Sequence, residues 1–144
     1  MNRPRPPDAY PSDAHRRDAL ARAMAHAPFL ALLARQRPAL VDHFLTVGSQ
    51  AAAVLVEQAS HRDDGRSDVM ARLRQHRADL ALLVALADLS GEYSLDAVVA
   101  ALSGFADGAV NTALDAAFAE RAPGEPVRGF AVIALGKLGS HELN

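Results

Sequence analysis

The apolar positions of this chain change period once. Between residues 13 and about 122 they recur at three- and four-residue spacings, whereas Phe130 to Leu135 form a nearly unbroken apolar run. The first spacing lays side chains along one face of a helix, and the second is the pattern of a buried strand. The expected chain is therefore mainly α: an irregular helical bundle followed by a first strand and its loop. Residues 1–12 read as a flexible lead-in, 13–122 as the bundle and 127–144 as the start of a second, incomplete domain.

Ser12 or Asp13 caps a first helix, with Leu20 and Met24 at i,i+4 as its inward pair. Pro28 ends that helix or opens a second one, with Phe29, Leu32 and Leu33 inward. Pro38 repeats the device ahead of Leu40, Val41, Phe44 and Leu45, and Gly48 closes the segment. A short alanine-rich helix over 51–59 offers Val54 and Leu55 for packing. His61 to Arg66 is a polar turn whose charges pair locally. The clearest helix runs from Ser67 or Asp68 to about Leu89, with Val69, Met70, Leu73, Leu80, Leu83, Val84 and Ala87 as its stripe. Ser90-Gly91 stops it. On this helix Arg74 and Arg77 share a face that meets solvent, pairs between domains or contacts a phosphate. Ser94 caps a second long helix to about Glu120, and Gly104 and Gly108 let a neighbouring backbone approach it closely.

Composition narrows the functions available. Fifteen Lys+Arg against seventeen Asp+Glu give a formal charge of -2, which supplies no general field for nucleic acid or an anionic membrane. No run of eighteen apolar residues exists, and Met1 is followed by prolines and arginines rather than by a signal-peptide core. The absence of cysteine excludes disulfide, thiolate-metal and cysteine-nucleophile chemistry. A cytoplasmic location is the expectation. The serines and histidines form neither a G-x-S-x-G elbow nor an H-E-x-x-H pair.

The chemistry gathers at the carboxyl end. Gly136-Lys137-Leu138-Gly139 lacks both the dinucleotide G-x-G-x-x-G spacing and a Walker A loop. It remains a tight turn in which Gly139 removes a Cβ that would obstruct a phosphate, and Ser140 offers an amide, a hydroxyl and a helix N-cap. Phosphate contact and plain turn geometry both fit. Lys137 either neutralises a phosphate or sits in solvent. His141 and Glu142 cannot complete a metal site by themselves.

Phe130 to Asn144 closely resembles the start of the nucleotidyltransferase domain of the bifunctional glutamine synthetase adenylyltransferase and adenylyl-removing enzymes, whose pattern is an apolar strand followed by G-K-L-G-G-x-E-L-N. Leu73-Arg74, Arg77, Asp88-Leu89, Gly91 and Leu102-Ser103 resemble the helical region before that motif. Glu142-Leu143-Asn144 and its distance from Met1 resemble the first of the family's two catalytic halves, the adenylyl-removing one.

The resemblance implies a polymerase-beta-like fold for the second domain, with Gly139 and Ser140 cradling nucleotide phosphates and Gly136 and Lys137 shaping the loop. Ser140 stands where a second glycine is commoner, and His141 where Arg or Gly is frequent, so His141 receives no catalytic role. It further implies Mg2+ with ATP, ADP or inorganic phosphate as the full enzyme's cofactors, and glutamine synthetase and a PII-type signalling protein as its partners. The metal-binding aspartates belong to a Ser-Ser-Asp-x-Asp pattern that follows Asn144 in the family. The 144-residue chain alone is thus expected to hold no catalytic residue, no metal and no bound cofactor, and to be inactive. The competing expectation is a non-catalytic helical scaffold or protein-binding module whose last strand completes a partner's sheet.

Overall fold

The computed structural model describes residues 12–60, 68–126 and 128–144. Among these described residues seven helices follow in order: α1 Asp13–His26, α2 Pro28–Gln36, α3 Pro38–Val47, α4 Gln50–Ala59, α5 Val69–Ser90, α6 Leu95–Arg121 and the single turn α7 Gly136–Gly139. The polar turn expected from His61 to Arg66, and nearly all of the lead-in, lie outside the described residues.

Each break has a local cause. Pro28 and Pro38 occupy the first helical turn of α2 and α3, where a missing N–H costs nothing and the fixed φ suits a helix. At the α3–α4 corner Gly48 takes φ +68°, and a Cβ there would collide with the Arg16 and Glu92 side chains. Asp68 caps α5 by accepting from the Ala71 amide at 3.1 Å, and Ser94 caps α6 by accepting from Ala97 at 3.2 Å. At the end of α5, Glu92 N–H donates to Ala87 O and Gly91 N–H to Asp88 O. With Gly91 at φ +79°, this is a Schellman ending that satisfies two otherwise free carbonyls.

The centre of the bundle is α5, which packs on α1, α2, α3, α4 and α6. Its Leu80, Leu82, Leu83 and Leu86 are almost fully buried, as is Phe44 of α3. Full burial of such side chains stabilises by ~1.5–3 kcal/mol each. Around them the contacts are small: Ala19, Ala23, Ala52, Ala59 and Ala87 are all buried. The α4–α6 seam is the tightest place. There Gly104 faces the Val56 side chain, Gly108 lies against Ala59 and Ser60, and Thr112 Oγ1 donates to Ala59 O at 2.6 Å. By length and composition α6 would suffice to cross a bilayer. Here it buries Ala101, Ser103, Phe105, Gly108 and Thr112 in the protein.

Several inward assignments move by a position. In α1 the buried residues are Ala19 and Ala23, whereas Met24 is exposed. In α2 they are Ala31, Leu33 and Ala34, leaving Phe29 and Leu32 exposed. Val54 and Met70 also face outward. Close helix approach favours alanine on the packed face and pushes larger neighbours to its edge, a choice that spacing alone does not make.

The expected strand is a correction. Among the described residues there is no strand, and Phe130 to Leu135 carry no regular structure. Phe130, Val132, Ile133 and Leu135 are exposed. The polymerase-beta-like strand, and the sheet-completing strand of the scaffold reading, are therefore both absent from the described residues. A helix satisfies its backbone internally, but a strand needs a second strand for its N–H and C=O groups. An apolar run states a need for burial without supplying that neighbour.

Candidate functional site

The segment after α6 doubles back along it. The Phe130 ring meets Phe118 edge to face with centroids 6.3 Å apart. Further on, His141 Nδ1 lies 3.7 Å from Asp107 Oδ2, and Leu143 N–H donates to the buried Ser103 Oγ at 3.3 Å. The order 118, 107, 103 on α6 against 130, 141, 143 on the segment defines an antiparallel course.

Between these anchors Gly136, Lys137, Gly139 and Ser140 share one short loop, and all four are exposed. Gly136 opens α7 at φ +60°. His141 N–H donates to Leu138 O and Glu142 N–H to Lys137 O, at 3.1 and 2.7 Å, with His141 at φ +57°. This is a second Schellman ending, and it gives position 141 a backbone role that glycine fills without a side chain. Ser140 consequently follows a helix and does not N-cap one, which corrects the expected strand-to-helix turn.

Gly139 is required by the loop itself: a Cβ would stand 2.6 Å from Ala134 O. The Ser140 amide donates to Gly136 O at 3.0 Å. Its hydroxyl proton has Glu142 Oε2 at 3.1 Å and Gly136 O at 3.2 Å as acceptors. Lys137 Nζ donates to Asn144 Oδ1. The loop thus brings the four expected residues together, with the polar groups of Lys137 and Ser140 turned on the segment's own atoms. A phosphate that binds the Ser140 amide must displace the Gly136 carbonyl and unwind the end of α7. Among the described residues no three His, Cys, Asp or Glu side chains gather as a metal site.

Ser103 and Asp107 were missed as loop partners. They carry a visible signal, being two polar residues at i,i+4 that interrupt the apolar stripe of α6. Elsewhere, Arg74 and Arg77 are exposed. Asp79 is buried and accepts from Arg37 Nε at 2.8 Å. Near it, burial and then the Arg72 charge lower the His76 pKa, with Asp79 opposing them. Glu92 is nine-tenths buried, which opposes its ionisation. Hydrogen bonds from Arg16 and from the Ser49 backbone and hydroxyl, together with the Arg16 charge, outweigh that and hold its pKa below the usual range.

A model of the family described as Glutamate-ammonia ligase adenylyltransferase matches residues 17–144. The bifunctional glutamine synthetase adenylyltransferase/adenylyl-removing enzyme of Xanthobacter autotrophicus is 39% identical over 131 residues, covering 81% of this chain and 13% of that protein. Its counterparts in Mesorhizobium japonicum and Rhizobium meliloti are each 32% identical, covering 88% and 92% of this chain and 14% and 16% of theirs. The chain therefore spans about a seventh of the length of these relatives. No solved structure matches.

Proposed function

The chain belongs to the glutamate-ammonia ligase adenylyltransferase family, and from that premise we propose that it forms the amino-terminal part of a cytoplasmic enzyme that sets the adenylylation state of glutamine synthetase in nitrogen metabolism. Residues 13–122 are its helical support, and 127–144 open its nucleotide-handling domain. The reaction assigned to this half is phosphorolysis. An oxygen of inorganic phosphate attacks the phosphorus of the tyrosine-bound AMP, the bond from phosphorus to the tyrosine oxygen breaks, and the tyrosine takes a proton as ADP leaves. The companion half adds AMP from ATP, and a PII-type signalling protein sets the balance.

In this chain the assigned work is binding. The Gly139 and Ser140 amides and the Ser140 hydroxyl hold phosphate oxygens once the loop opens, while Gly136 and Lys137 shape the turn. Residues beyond this set would hold Mg2+, which would supply Lewis-acid polarisation of the phosphorus-bound oxygens. The observation that carries the reading is the family match over residues 17–144, a range that includes the small, exposed loop.

The test is ADP release from adenylylated glutamine synthetase with inorganic phosphate, in the protein extended to the length of its relatives. Gly139→Val is expected to abolish release, because its side chain fills the phosphate position and collides with Ala134. Ser140→Ala is expected to weaken phosphate use by about 5–10-fold, as for one lost hydrogen bond. The 144-residue polypeptide alone is expected to release none. Full release by Gly139→Val overturns the phosphate role, and loss of AMP addition with retained removal reassigns the half.

A further inference from the structure

We propose that α6 is the platform that positions the Gly136–Asn144 loop, with Ser103 and Asp107 as positioning residues; the inference rests on the loop being the phosphate-facing element. The geometry is specific. Phe130 on Phe118 fixes the segment before the loop, and Leu143 on Ser103 with His141 beside Asp107 fix it after. Of the residues from Gly136 to Ser140, only Leu138 is half-buried, and the others stand clear in solvent. A segment held at both ends and free between them keeps its place on the bundle while its middle turn unwinds to admit an oxyanion. Ser103 suits this task because it is buried: its Oγ has one fixed direction and receives a backbone donor, so it sets register without depending on the side chain opposite. Asp107 lies one turn along α6, where its carboxylate faces His141 and becomes an ion-pair partner when that ring is protonated.

The platform makes loop binding sensitive to α6 without any α6 group touching the ligand. That separates positioning from direct contact. In the 15N-labelled 144-residue polypeptide, Ser103→Ala is expected to speed amide exchange at Leu143 by about fivefold, the loss of one hydrogen bond. In calorimetric titrations of the protein extended to the length of its relatives with ADP and, separately, inorganic phosphate, Ser103→Ala and Asp107→Asn are each expected to weaken binding by a similar factor. Asp107→Glu restores it, and the melting midpoint of the bundle stays at the wild-type value. Should Ser103→Ala lower that midpoint, Leu143→Pro removes the same bond from the exposed side. Unchanged Leu143 exchange in Ser103→Ala overturns the platform whatever ADP does. Exchange that quickens while affinity holds overturns the positioning role. An extended wild-type protein that binds neither ligand counts instead against the phosphate reading, and exchange then decides the docking alone.

Discussion

Two apolar stretches of similar composition meet opposite fates here. Leu80 to Ala87 of α5 sits at the middle of the bundle, whereas Phe130 to Leu135 lies over its outside with Ile133 and Leu135 at 80% and 82% exposure. Hydrophobicity does not separate them, but the source of their backbone hydrogen bonds does. The helix brings its own, so its side chains are free to seek any apolar neighbour. The extended run must find a partner backbone before its side chains are sheltered.

The contrast is broken or sharpened most strongly by amide exchange. For a domain of ordinary stability, α5 amides from Leu80 to Ala87 should be protected by at least ~10³, while Phe130 to Leu135 exchange close to the unstructured rate. Uniform protection would dissolve the distinction. Next in size, Phe44→Ala is expected to destabilise by about 3–5 kcal/mol, whereas Ile133→Ala should change stability by less than ~0.5 kcal/mol, both from denaturant unfolding followed by helical circular dichroism.

Glu92→Ala comes third. It leaves Arg16 Nε and the Ser49 amide without their acceptor and should cost about 1.5–3 kcal/mol. The same carboxylate sets an acid limb. Its folded pKa is depressed, so its contribution is complete above the unfolded value, 4.5, and disappears as pH falls through the folded value. His76, also depressed, adds stability above 6.5 that is lost as pH drops through its own folded value. Stability should therefore begin to fall below pH 6.5 and fall again below 4.5. Glu92→Gln should remove the second decline and leave the first. The smallest effect belongs to the Ser94 cap, where Ser94→Ala should cost about 1 kcal/mol in the same unfolding measurement.

Legibility in the sequence followed the same divide. The ends of α2, α3, α5 and α6 were readable because proline, glycine and serine act on their immediate neighbours. Which of Ala23 or Met24, Leu33 or Leu32 faces inward was not, since that depends on how near the next helix lies. Gly136, Lys137, Gly139 and Ser140 were recognised as one unit from their pattern. Its self-closed form was not readable, because the acceptors that occupy Ser140 and the contact that excludes a side chain at Gly139 come from carbonyls placed by the turn. Ser103 and Asp107 could be seen only as interruptions of a stripe, and their role needed the returning segment.

The α4–α6 seam has a consequence for variation in this protein. With Gly108 seated on Ala59 and Ser60, and Gly104 on Val56, the clearance between the two helices is already spent. Trimming a side chain there leaves a small void, but enlarging one acts as a wedge that swings α6 outward and carries the loop's anchor points with it. Tolerance along the seam therefore runs in one direction only, and a single added methyl at Gly104 or Gly108, each next in sequence to an anchor of the loop, would reach it as a change of angle.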